Sequence, residues 1–248
     1  MYNLPKQYLS YSAINKYLSC PEKYRRHYVE NEATEELRPA ALSVGSGTHQ
    51  MVEDYIKSYL RGENPTWEDI EGNVELDTFF DGTDLEEKSL DAWVGEVKKF
   101  GKVWYKGVGS TLIPTASEQA FEGLFGDVPV LGYVDYIDHS NGKPEVCDLK
   151  VVKRGKSVKD AQNSIQLAMY AEVLDNPNVR FDSVVKLKTP KLVSVSYEFS
   201  RSEINYMVDI VGEVATNISK GHFPKTSPTS WTCTETMCPF YKNCRGAY

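Results

Sequence analysis

The sequence predicts a mixed α/β fold, and three observations carry that prediction. Apolar residues recur at helical spacing through much of the first hundred residues and again near the end of the chain. They alternate with polar residues from about Thr115 to Val152 and from Ser183 to Phe199, in short runs bounded by turn residues. The 248 residues, 41% of them hydrophobic, suffice for one sizeable core, so residues 1–248 are expected to form a single domain with an elaborating insertion.

Residues 10–30 read as two short helices. Ser12 suits a cap for a turn carrying Ile14, Tyr17 and Leu18; Pro21 suits the first position of the next helix, which bears Tyr24 and Tyr28, with Cys20 at the joint. A loop through Pro39 leads to a helix from about Gly47 to Leu60, where Val52, Tyr55, Ile56, Tyr59 and Leu60 share a face with His49 at its edge. Residues 61–84 hold Gly62, Pro65, Gly72 and Gly82 among many acids and are expected to be irregular. An amphipathic helix with the stripe Trp93, Val97, Phe100 and Trp104 follows. Residues 1–45 are thus an N-terminal helical segment, and 61–107 an acidic helical insertion.

The pattern then changes to strands over Ser117 to Leu124, Val128 to His139 and Glu145 to Val152, with Gly126-Asp127 and Asn141-Gly142 as turns. A helix from about Asp160 to Leu174 comes next, then a strand from Ser183 to Lys188 and another carrying Val193, Val195, Tyr197 and Phe199. Ser200 to Glu203 resembles a capping box for a last helix with Ile204, Met207, Val208, Val211 and Ile218. Residues 221–248 form a cysteine-rich tail.

The chemistry concentrates in the strands. In the extended segment Glu145 to Val152, Asp148 and Lys150 point to one face while Cys147 and Leu149 enter the apolar layer on the other. Asp135 sits near the end of the preceding strand, after Gly132, which permits close approach by a ligand. Two carboxylates at adjacent strand ends can hold a hard divalent cation, with the lysine beside an attacked phosphate. Glu118 opens the first strand, and Gln166 and Tyr170, four apart, share a helix face.

The net charge of −7 weighs against a nucleic-acid partner, but its distribution does not. Residues 30–100 hold 18 acidic and 6 basic side chains, leaving 17 acidic and 22 basic elsewhere, so the motif-bearing remainder is mildly basic and the acidic stretch reads as a solvated insertion. No apolar run of about 18 residues occurs, and the N-terminus lacks the pattern of a signal peptide, so a soluble protein of a reducing compartment, with no membrane partner, is expected. There, five cysteines suggest metal or cluster ligation before disulfides. Cys233, Cys238 and Cys244 are bunched at the C-terminus; with Cys20 they offer four thiolates, which suit either an iron–sulfur cluster (4Fe–4S) or tetrahedral zinc.

Gly45-x-x-x-His49, Gly132-x-x-Asp135, Asp148-Leu149-Lys150 and Gln166-x-x-x-Tyr170, in this order, resemble the signatures of the PD-(D/E)XK nuclease superfamily, in particular the RecB-like exonuclease branch with its CRISPR-associated and phage-encoded members. The likeness spans about residues 10–245. It implies a restriction-endonuclease-like core, a mixed β-sheet flanked by helices, and a Mg²⁺- or Mn²⁺-dependent deoxyribonuclease in the prokaryotic or phage-infected cytoplasm. It also implies His49, Asp135, Asp148 and the Leu149 carbonyl as metal ligands and Lys150 as the active-site lysine. A histidine ligand suits Mn²⁺ better than Mg²⁺. Glu118 would position a second metal or a water, and Gln166 and Tyr170 would reach DNA or orient the lysine.

Members of this branch resemble the chain in having one N-terminal and three C-terminal cysteines around an iron–sulfur cluster, although the four residues between Cys233 and Cys238 exceed the family's usual spacing. Such a cluster would clasp the chain ends. Lys153, Arg154, Lys156 and Lys159, just past the site, are expected to contact phosphates of single-stranded DNA or DNA ends. A helicase, a recombinase or a CRISPR adaptation protein would be a fitting partner; the competing reading is a DNA-end-binding subunit of a recombination or repair complex.

Overall fold

A computed structural model of the chain describes residues 2–33, 38–73, 75–85 and 88–245. In chain order these form helices α1 (Tyr11–Ser19) and α2 (Pro21–Tyr24), a π-helical turn at Arg25–Val29, strand β1 (Arg38–Pro39), helices α3 (Ala40–Leu60) and α4 (Trp67–Asn73), strand β2 (Thr83–Asp84) and helix α5 (Leu90–Gly107). Strands β3 (Pro114–Phe125), β4 (Val128–Asp138) and β5 (Glu145–Val152) follow, then α6 (Val158–Gln162), α7 (Ile165–Val173), β6 (Asn178–Val185), β7 (Lys191–Glu198), α8 (Arg201–Ser219) and α9 (Tyr241–Arg245).

Five strands make one mixed sheet in the order β3-β4-β5-β6-β7. β4 and β5 are antiparallel, β5 and β6 parallel, and β6 and β7 antiparallel. The parallel step requires a crossover, which α6 and α7 supply. The fold is therefore the mixed α/β class expected, a mixed sheet with flanking helices.

The chain divides into two compact units. One comprises residues 37–121 and 133–200, the other residues 1–36, 122–132 and 201–248. In the larger unit, α3 and α5 build the core with Met51, Val52, Ile56, Val97, Phe100 and Trp104 against Tyr136, Cys147, Leu149 and Val184. α3 begins at Ala40, seven residues before the expected start. Gly47, now well inside the helix, is a packing requirement: a Cβ there would lie 3.1 Å from a Val97 methyl carbon. The segment expected to be irregular contains α4, whose Trp67 ring rests where a Cβ on Gly101 would be 2.7 Å away.

Other boundaries also moved. The helix expected over Asp160 to Leu174 is two helices, because the Ser164 hydroxyl accepts the Leu167 amide at 3.2 Å and starts a new one. β6 starts at Asn178 and not at Ser183, so Arg180 and Asp182 lie inside a strand that is buried from Val179 onward. In the smaller unit α1 is capped by Ser10, which accepts from Ala13, and not by Ser12. There Tyr17 donates to the His222 carbonyl at 2.7 Å and packs edge-on against Tyr24 and Phe223. No described helix is long and apolar enough to cross a membrane.

Beneath the sheet, on the α5 side, lies a buried ionic network. The Arg180 guanidinium reaches Asp138 at 2.9 Å, Glu145 at 2.5 Å and Asp182 at 2.9 Å. Asp182 also accepts from the Tyr136 hydroxyl and from Ser194, and Tyr136 in turn accepts the Trp104 indole N–H at 3.0 Å. One cation thus holds three buried carboxylates, and removing it leaves them uncompensated. Arg180→Ala is expected to destabilise the fold by about 3–5 kcal/mol in urea unfolding. Burial raises the Asp138 pKa, but Ser140 and Arg180 outweigh it and hold the carboxyl below its usual range. A lowered folded pKa gives stability that is present above the unfolded value, about 3.9, and is lost as pH falls through the folded one. Wild type should therefore lose stability on acidification below about pH 4 by more than Asp138→Asn does.

Candidate active site

The ladder between β4 and β5 runs from Asp138–Glu145 to Tyr136–Cys147 and then stops. The next residues are Asp135 and Asp148. The Leu149 amide, which has left the ladder, donates to the Asp135 carboxylate at 2.6 Å. A side chain thereby replaces the backbone acceptor and the strands part without orphaning a buried amide. The other Asp135 oxygen lies 3.5 Å from His49 Nδ1, presented by α3.

His49, Glu118 and Asp135 each offer a ligand atom, and these atoms all lie within 4.8 Å of one another. One imidazole and two carboxylates suit a divalent cation of the manganese or magnesium kind. Asp148 lies outside this trio, almost fully buried. Its Oδ2 sits 2.6 Å from Lys150 Nζ but has no partner in hydrogen-bonding geometry, which leaves an oxygen able to take a further cation contact. Lys150 donates to Gln166 Oε1 at 3.1 Å, and the Gln166 amide donates to the Tyr170 hydroxyl at 2.8 Å. That hydroxyl is 3.0 Å from the Tyr133 carbonyl and 3.3 Å from Asp148 Oδ1, its single proton shared between the two. Gln166 and Tyr170 therefore fix the lysine and the aspartate relative to each other.

The charges respond as such crowding requires. Burial pushes the Asp148 carboxyl up; Lys150 opposes it and Asp135 adds to it. Glu118 is raised by burial, then by Asp135 and Glu53. Burial works against protonation of His49, yet the Asp135 and Asp148 carboxylates outweigh it and hold the imidazole above its ordinary value. Two carboxyls, Asp148 and Glu118, that resist ionisation beside a third acid are what a cation would relieve.

An open groove of about 600 Å³ gives access, lined by His49, Glu118 and Lys150 together with Leu42, Glu53 and Phe79 among others. Glu53 and Phe79 were not singled out from the sequence; Glu53, four residues past His49 on one helix face, was findable by spacing. Lys153, Arg154, Lys156 and Lys159 do not line this groove. Arg154 pairs with Asp160 at 3.4 Å, and the Lys156 ammonium lies 5.6 Å from the centre of the Phe181 ring. Glu118 has a φ of 45°, in the left-handed region, inside β3. That is backbone strain at a candidate metal ligand, and no sequence pattern announces it.

In the smaller unit Cys20, Cys233, Cys238 and Cys244 line one cavity of about 20 Å³ with Glu22, Arg26 and Phe240. Among the described residues no three thiol sulfurs come within 4.8 Å of one another. Tetrahedral zinc, with Zn–S near 2.3 Å, needs sulfurs roughly 3.8 Å apart. Cys147 is buried in the apolar layer, as expected, and burial pushes its thiol well up.

A model of the PD-(D/E)XK nuclease superfamily matches residues 8–245. The crystal structure of a candidate exonuclease from Eubacterium rectale is similar in fold, with a TM-score of 0.57 and 13% identity over 94% of this chain and 87% of that one. The structure of SSO0001 aligns at 12% identity over 96% of both chains, but its TM-score of 0.39 carries no argument. No curated protein matches the sequence.

The strain at Glu118 has a testable cost. Glu118→Gly accepts the positive φ, so thermal unfolding should show stability unchanged or higher by up to about 1 kcal/mol. A Mn²⁺ titration of the same variant should show weaker binding, since one of three gathered ligands is gone. A loss of stability without a change in metal binding would refute both points.

Proposed function

The chain belongs to the PD-(D/E)XK nuclease superfamily, and we propose that it is a Mg²⁺- or Mn²⁺-dependent DNA exonuclease of the RecB-like kind, acting on single strands or strand ends. The observation that carries this reading is the Asp148–Lys150 pair, tied through Gln166 to Tyr170 and set in the strand next to the one bearing Asp135. His49, Glu118 and Asp135 would hold the ion, with Asp148, whose Oδ2 also faces Lys150 at 2.6 Å, and the Leu149 carbonyl as further ligands. A bound ion would lower the pKa of water and draw charge from the scissile phosphate.

The chain's own part is arrangement. Gln166 and Asp148 aim the Lys150 ammonium, which would face a phosphate oxygen or an attacking hydroxide. The buried Tyr170 hydroxyl, whose pKa burial holds far above its usual value, stays protonated and keeps Asp148 in place. Lys153, Arg154, Lys156 and Lys159 would meet phosphates of the strand beyond the groove. Preference for exonuclease over endonuclease activity rests on the RecB-like motifs and on the designation of the similar Eubacterium rectale protein.

The four thiols facing one cavity support a bound group clasping residues 221–248 to Cys20. Four thiolates suit either a four-iron, four-sulfur cluster or zinc, and the RecB-like resemblance favours the cluster.

Two outcomes are expected. End-labelled single-stranded DNA should be degraded with Mn²⁺ at least as fast as with Mg²⁺, and Asp148→Ala should slow release by about three orders of magnitude, the several kcal/mol of a metal and its ligands. Equal release by wild type and variant would end the enzyme reading. Protein purified without oxygen should be brown and contain iron; a colourless protein with stoichiometric zinc would replace the cluster by zinc.

A further inference from the structure

In the smaller unit, acids and bases sort themselves unevenly. Glu22 is held by Arg25 at 2.8 Å and by Arg26 at 2.9 Å, Glu30 by Arg25, and Glu32 by Arg26 at 2.9 Å. Both arginines are thereby neutralised. Two lysines, Lys6 and Lys16, gather instead around Tyr28 and the neighbouring His27, whose imidazole burial and the nearby lysines hold below its ordinary value, while Lys23 donates to the Met237 carbonyl at 2.8 Å. Among the described residues neither Lys6 nor Lys16 lies within ion-pair distance of a carboxylate.

An aromatic ring sits at their centre. The Lys16 ammonium is 4.9 Å and the Lys6 ammonium 5.7 Å from the centre of the Tyr28 ring, and the His27 ring stands edge-on to it at 4.6 Å. Tyr28 is braced from behind by Tyr24 at 5.0 Å, which in turn stacks on Phe223. His27 and Tyr28 belong to the π-helical turn, closed by the Glu30 amide donating to the Arg25 carbonyl at 3.0 Å. Such turns are rare and occur most often where function requires an unusual placement. His27 and Lys6 are exposed, and Tyr28 is half-buried, so the group is reachable.

Holding like charges together is unfavourable unless an anion joins them. Cations that follow a backbone, beside an aromatic face on which a base can stack, are the two components of single-strand recognition. We propose that Lys6, Lys16, His27 and Tyr28 form a binding site for single-stranded DNA, the two lysines meeting its phosphates and the exposed His27 ring and Tyr28 one base. This rests on the reading of the chain as a DNA nuclease and adds contacts made by none of the groove residues.

The test is fluorescence anisotropy of the full chain with an oligothymidylate of about twenty nucleotides, longer than one binding site. Measurements run in EDTA across about 50–200 mM salt. Lys6→Gln/Lys16→Gln should raise Kd about tenfold near physiological salt. It should also flatten the slope of log K against log salt by about 1.4, or about 0.7 for each phosphate no longer neutralised. Lys6→Gln alone, at an exposed side chain, should give about half that slope change, and Lys6→Arg/Lys16→Arg should keep the wild-type slope. Tyr28→Ala should weaken binding with the slope unaltered. Wild-type affinity and slope in Lys6→Gln/Lys16→Gln would overturn the site. Because EDTA prevents metal-dependent cleavage, this result stands apart from the Asp148→Ala digestion: DNA binding of the predicted pattern without cleavage would defeat the nuclease reading and leave the site intact.

Discussion

The site depends on one substitution of bonding partner. Where β4 and β5 part, the Leu149 amide is taken by the carboxylate of Asp135 and not by a backbone carbonyl. A sheet that opened there without such a partner would leave a buried amide unsatisfied, at a cost of about 1–3 kcal/mol. The same bond fixes the direction of Asp135. With one oxygen on Leu149, the other is turned to His49 at 3.5 Å, where Glu118 also arrives. Fold and candidate chemistry thus share a single side chain, so a change at Asp135 cannot touch one without the other.

The opposite face of the same strands explains why the opening stays where it is. Tyr136 and Cys147 are the last paired residues before the strands part, and both point into the apolar layer. Tyr136 is bonded to Asp182 and to Trp104, while Cys147 is the register neighbour of Arg180 on β6. A slip of one residue along β5 would send Glu145 away from Arg180 and Asp148 into the apolar layer. Buried ion networks add little net stability over apolar packing, but they penalise such alternatives heavily. Here the network under the sheet acts as the lock on register and the acids above it as the chemistry.

This division also accounts for what could be read in the chain. Asp148-Lys150 and Gln166-Tyr170 were legible because each pair obeys a strand or helix period, His49 and Asp135 through the resemblance to the nuclease family, and the structure brings all of them together in one unit. The three strands bearing the acids were legible to within a few residues for the same reason. β6 was not: Arg180 and Asp182 look like loop residues until their partners, distant in sequence, are known. α4 was hidden by the acids and glycines around it, and the first turns of α3 by a glycine, Gly47, that serves close packing. Glu118 joined the metal-ligand group through a left-handed backbone that no periodicity encodes.

Formal charge misleads for a related reason. A net −7 describes the whole chain, whereas a strand of nucleic acid senses only charges left without a partner near the surface. Asp138, Glu145 and Asp182 are neutralised around Arg180; Glu22, Glu30 and Glu32 around two arginines. Glu118, Asp135 and Asp148 gather where a divalent cation would offset them. Setting aside these nine acids and the three arginines leaves 26 acidic and 25 basic residues, close to balance, so an acidic isoelectric point of about 5.3 is compatible with DNA as substrate.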